Sequence, residues 1–168
     1  MKQRLILLSG LAVLLIGATF VIAHPHFNKT LTVKLPSGAE ATLTYNTIPA
    51  NEMHPNKAPV GSFVTPRQPK LKLSAEIKAG SVVVPAGEYI IGAIKNGDKD
   101  WTLGLYPGTI ARGASPEMDK VIKLESAFSS EGKADHMLID ITPGQGKFEG
   151  KAVLTLHFGS MFLAGALS

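Results

Sequence analysis

The sequence predicts an all-β domain, an antiparallel β-sandwich or flattened barrel of about eight or nine short strands. Two patterns lead there. Apolar and polar residues alternate through much of the chain after residue 30, as they do in strands with one buried face. Gly, Pro, Asn and Asp interrupt that alternation repeatedly, as turns between short strands do. A third observation is negative: after residue 23 no stretch of about ten residues or more carries a helical period.

The elements follow in order. In residues 30–35, Leu31, Val33 and Leu35 lie on one face and Thr30, Thr32 and Lys34 on the other. Pro36-Ser37-Gly38 turns, and Ala41, Leu43 and Tyr45 alternate with Thr42 and Thr44, so the two runs form a hairpin. Residues 47–69 hold five prolines and no clear element. A stretch of that length without regular structure is often functional, so it is the candidate binding loop. Leu71, Leu73, Ala75 and Ile77 then alternate with Lys70, Lys72, Ser74 and Glu76. Residues 81–84 form a short strand, and residues 89–94, apolar on both faces, form a central one. Asn96-Gly97-Asp98 is a hairpin turn into the strand of Trp101, Leu103 and Leu105, where Trp101 reads as a core residue. Beyond a second loop at 109–118, a weak strand at 121–124 precedes Met137, Ile139 and Ile141, which alternate with His136, Leu138 and Asp140. Pro143-Gly144-Gln145-Gly146 turns into a strand with Leu154, Leu156 and Phe158 inward. Residues 161–167 form a last apolar strand, read as packed in the sandwich.

The N-terminus has a different character. Lys2 and Arg4 precede an apolar run from residue 5 to residue 23 whose only polar members are Ser9 and Thr19. The run ends in Val21-Ile22-Ala23, which suits signal peptidase. Residues 1–23 are therefore expected to be a signal peptide, cleaved after Ala23. The single β-sandwich domain of residues 24–168 is then periplasmic or secreted. The alternative is an uncleaved membrane anchor, since the run approaches the roughly 20 residues that span a bilayer.

Charge and cysteine content exclude several classes. The chain carries 17 Lys and Arg against 13 Asp and Glu, and cleavage would remove two of the bases, leaving a domain near neutrality. That is no footprint for nucleic acid. With no cysteine there is no disulfide, no lipoprotein anchor, no thiolate chemistry and no Cys-type zinc site.

The block Val84-Pro85-Ala86-Gly87-Glu88-Tyr89, with Asn96-Gly97-Asp98-Lys99-Asp100-Trp101-Thr102-Leu103 after it, resembles the bacterial family known as domain of unknown function 2911. Members of that family carry an "lPAGtYsl" strand, a short polar turn and a "WtvifN" strand. Leu43-Thr44-Tyr45-Asn46 is similar to its "vtYsrP" segment, and residues 153–158 to its "LvleWe" strand. The resemblance spans residues 28–167 and is specific over residues 84–105. One motif departs: where the family has Trp-Arg-x-Gly-Ala-Asn, this chain reads Gly61-Ser62-Phe63-Val64-Thr65-Pro66-Arg67-Gln68. The resemblance implies a fold and export, and no reaction.

No residue set forms a catalytic signature, which points to a binding or structural module rather than an enzyme. No serine lies in a Gly-x-Ser-x-Gly elbow, and the glycine-rich stretches lie in β-turns rather than before helices. The histidines carry the alternative, a copper- or zinc-binding protein. Cleavage after Ala23 would leave His24 N-terminal, offering an α-amine and an imidazole to one metal, a ligand set that suits copper. His136 and His157 lie on the non-core faces of their strands. If residues 136–142 pair with 151–157, the two imidazoles sit directly opposite each other, with Cβ atoms about 5 Å apart. His54 lies in the long loop.

Overall fold

The computed structural model describes residues 26–168. The expectations for residues 1–23 and for His24 lie outside that range. The described chain is all-β and antiparallel, with one short α-helix.

The first sheet opens with the expected hairpin, β1 (Asn28–Lys34) against β2 (Glu40–Asn46). Gly38 takes the left-handed conformation that its turn requires (φ 89°). Ala41, Leu43 and Tyr45 are buried. On the outer face Thr30 meets Thr44 and Thr32 meets Thr42, hydroxyl to hydroxyl, at 3.3 and 3.0 Å. The sheet continues through β4 (Lys70–Leu73), β7 (Gly87–Gly97), β8 (Asp100–Pro107) and the two-residue β9 (Ile122–Lys123), with β3 (Phe63–Val64) also on β7. The second sheet has the order β10 (Ser126–Ser129), β13 (Met161–Leu167), β12 (Ala152–Gly159), β11 (Ala134–Pro143). The apolar C-terminal strand is thus central in its sheet. Leu43, Leu71, Ile91 and Leu103 from the first sheet share one core with Met137, Leu154 and Leu163 from the second, the arrangement of a sandwich.

Central strand β7 is buried from Tyr89 to Lys95, as its apolar character on both faces predicts. Ile91 and Ala93 face the shared core. Ile90 and Ile94 face a second cluster with Phe63, Tyr106 and Val121. Two glycines make room for it. A Cβ on Gly92 would lie 2.5 Å from the Phe63 ring, and one on Gly104 would lie 3.0 Å from it.

Three expectations need correction. Among the described residues thirteen strand segments replace the expected eight or nine, because several chain crossings form strands of only two to four residues. The alternation over 70–77 is not one strand: it breaks after Leu73, and Ala75 is exposed. There Ser74 donates its N–H to Glu40 O while its hydroxyl accepts the Glu40 N–H at 2.8 Å, so the side chain replaces the next ladder bond. The chain then leaves the sheet for a ribbon, β5 (Ile77–Ala79) with β6 (Val82–Val84).

The two histidines are not paired as expected. His157 lies opposite Leu138, two residues from the expected register. His136 falls in an irregularity between Ala134 and Leu138. The cause is a competing partner. The chain leaving β2 bridges to this stretch at Pro49 and His136, with Met137 N–H donating to Ile48 O and Ala50 N–H to Asp135 O. The turn sets the other end of the register: Gly144 N–H donates to Lys151 O across a loop with a short 3-10 helix.

Candidate functional site

Residues 47–69, the expected binding loop, wrap one end of the sandwich. They begin on the edge of β11, form the five-residue helix α1 (Met53–Lys57) and return to β7 through β3. Pro55 is the buried residue of that helix. The segment is fastened at Lys95, whose backbone accepts from Gly61 N–H and donates to Ser62 O. The Lys95 side chain is only 5% exposed. Its ammonium donates to the carbonyls of Asn56 (2.8 Å) and Ala58 (3.0 Å), and lies 3.8 Å from Asp98 and 5.9 Å from the centre of the Trp101 ring. A buried ammonium requires such partners. Asp98 is almost fully exposed, so the two carbonyls are the structural contacts and the ion pair is peripheral.

Two cavities flank Pro55. One, of about 260 Å³, lies between α1 and the tip of the β12–β13 hairpin, walled by Trp101, Phe128, Phe158 and Met161 with Glu52 and Asp98 on its polar side. Trp101 remains largely buried, which fits its reading as core. The Glu52 carboxylate accepts the Ser160 N–H at the hairpin tip. The other cavity, of about 330 Å³, is lined by His54, Arg67, Asn51 and Thr65 over an apolar floor that includes Ile48 and Phe158. Both basic side chains are exposed at its mouth.

The backbone beside His54 is unusual. Arg67 and Gln68 both take left-handed conformations (φ 58° and 46°), at a cost of roughly 1–2 kcal/mol each for residues with a side chain. Gln68 is held there by its amide, which donates to Ile110 O at 2.9 Å. Among the described residues Arg67 has no such bond. Strained residues of this kind cluster at functional sites.

Of the predicted metal residues, His136 and His157 do not lie directly opposite each other, since His157 faces Leu138. Among the described residues there is no group of three or more His, Asp or Glu placed to hold a metal ion, and His24 lies outside them. His157 packs edge-on against Phe162, with ring centres 5.3 Å apart, and its Nε2 is buried with no hydrogen-bond partner among the described residues. Lys95 and the Arg67–Gln68 strain were not legible in the sequence. Lys95 ends an apolar run beside a turn, where a lysine ordinarily reads as solvated.

Compared with known protein families, with curated proteins and with solved structures, the chain has no match. Of the described residues, no helix is long and apolar enough to cross a membrane.

Proposed function

We propose that this protein is an exported binding module of β-sandwich type, and that it takes a small anionic ligand, a carboxylate or phosphate ester, in the cavity of Arg67 and His54. The observation that carries this reading is Arg67 itself. An arginine with a strained backbone and an exposed guanidinium, beside an imidazole and over an apolar floor, suits a bidentate anion with an apolar body. Export rests on the character of residues 1–23. The resemblance to the domain of unknown function 2911 family belongs to the same reading, resting on the β7–β8 hairpin. Retention of residues 1–23 as an anchor would make the module a membrane-tethered envelope domain.

The test is titration with phenyl phosphate and with benzoate, read by NMR at the His54 imidazole, with benzylamine as the cationic control. The reading expects His54 to shift with the anions only and expects Arg67→Gly to abolish the shift. Equal response to benzylamine, or full binding by the Arg67→Gly variant, would sink it. Intact mass of the exported protein tests the rest: a mass beginning at His24 supports cleavage, and one that retains residues 1–23 supports the anchor.

A second reading is copper (or zinc) binding through His24 with His136 and His157. One relationship favours part of it. His26 Nδ1 lies 3.2 Å from Thr47 O, and Pro49 bridges to His136, so the start of the described chain and His136 border the same short segment. Copper retained one-to-one after desalting, and lost on His136→Ala, would support it. No retained copper would remove it.

A further inference from the structure

The two sides of the sandwich differ. On one, the chain itself joins the sheets: β9 pairs with β8, and three residues later β10 pairs with β13. On the other, β1 and β11 border the gap between the sheets and do not pair. Two cavities of about 510 and 520 Å³ follow one another along this seam. The first lies between residues 28–31 and 138–140, the second between residues 33–36 and 141–144.

The two strand edges along the seam are finished differently. In β11, Met137 N–H points to the seam side, so by alternation Ile139, Ile141 and Pro143 do too. The Asp140 carboxylate covers the Ile141 N–H at 2.8 Å, and Pro143 has no N–H to offer. That edge is blunted. In β1, Phe27 O accepts Thr47 N–H and Leu35 N–H donates to Ala39 O, so odd residues face β2. The N–H and C=O groups of Asn28, Thr30, Thr32 and Lys34 face outward, with no neighbouring strand among the described residues. The strand has no proline, and its pairing to β2 has no register shift. An open, regular edge of seven residues is a template for another strand.

We infer that β1 pairs antiparallel with β1 of a second copy of this chain, about a two-fold axis at Leu31, continuing the first sheet through the dimer. Among registers that set outward groups against outward groups, this one overlaps the whole strand. It places Thr30 opposite Thr32 of the second copy, Asn28 opposite Lys34 and Lys29 opposite Val33, so no lysine meets a lysine. Leu31, half-buried in one copy, then sits directly beside Leu31 of the other, over the seam, with the half-buried Val33 diagonal to it. The isologous pairing closes on itself and leaves no further edge for growth there.

Sedimentation velocity and amide exchange of the exported protein test this. The expected result is a dimer in the micromolar range, with slow exchange at the Thr30 and Thr32 amides. Thr32→Pro removes an outward N–H without touching the β1–β2 ladder, and is expected to weaken the dimer at least about tenfold. Thr42→Val removes the Thr32–Thr42 hydroxyl contact without altering the edge, and is expected to leave the dimer intact. A monomer at high micromolar concentration with fast exchange at both amides overturns the inference, and so does a dimer indifferent to Thr32→Pro. Protection of these amides only when a different exported protein is added overturns it in favour of strand addition by that protein. If Thr32→Pro fails to fold, the exchange data on the unaltered protein decide.

Discussion

The ammonium of Lys95 lies 2.8 Å from the carbonyl oxygen of Asn56, 39 residues earlier in the chain, and this contact fixes the 47–69 segment to the central strand. Lys95→Met keeps the length of the side chain and leaves the carbonyls of Asn56 and Ala58 without their donor. The expected loss is about 2 kcal/mol in denaturant unfolding. It should be accompanied by faster proteolysis within residues 53–60, where a general weakening would raise cleavage across the domain.

Phe63 occupies the slot between Gly92 and Gly104, with Val64 O also within 2.6 Å of where a Gly92 Cβ would stand. Gly92→Ala therefore forces β3 away from β7. A loss of about 1–3 kcal/mol is expected from overpacking. Phe63→Ala empties the slot instead, at about 3–5 kcal/mol. Because one change removes the need for the other's space, the double variant should cost less than the sum of the two, which thermal unfolding of the four proteins measures.

Glu125 predicts a pH dependence. The Ser81 hydroxyl, then the Ser81 N–H at 2.8 Å, then the charge of Lys151 hold its carboxyl below the ordinary glutamate range. A lowered value in the folded state means that the ionised form stabilises the fold. That contribution is complete above the unfolded value, about 4.3, and is lost as pH falls through the folded value. Glu125→Gln should therefore melt below the unaltered protein at neutral pH. The difference should vanish in acid below the folded value. A gap that persists or widens there contradicts the assignment.

His157 separates packing from ligation. Its Nε2 is buried without a partner among the described residues, a cost of about 1–3 kcal/mol. His157→Phe keeps the aromatic contact with Phe162 and removes the unpaired nitrogen. Equal or higher thermal stability is expected, with no change in metal content. A coupled loss of bound copper would instead mark His157 as a ligand.

How much of this was legible in the sequence depends on the range of the interaction. Leu31 to Tyr45 could be read residue by residue, because a hairpin with a short turn is set by neighbours in the chain. The central place of residues 89–94 was readable from their apolar character on both faces. The register of His136 against His157 was not, because the residues that shift it, Ile48 to Ala50, stand far away in sequence. Ala75 misled for a related reason: its alternation is intact, and only the Ser74 bond to Glu40 reveals that the strand has ended. Of the candidate site, the 47–69 segment was marked by its prolines. Its fastening through Lys95 and the strain at Arg67 depend on backbone geometry that residue types do not encode.

The asymmetry of the two sides has a mechanical consequence. Where residues 122–129 pass from β8 to β13, the sheets are hinged by continuous chain. Along β1 and β11, among the described residues, side-chain packing and the short Ile48–Ala50 link hold them. Thermal opening should pivot on the hinge, so the domain breathes like a clamshell whose lips are β1 and β11. Amides of β8 and β13 would then report the global unfolding free energy and those of β1 a smaller local one. A partner strand laid on β1 would latch the lips and raise the protection of the whole first sheet.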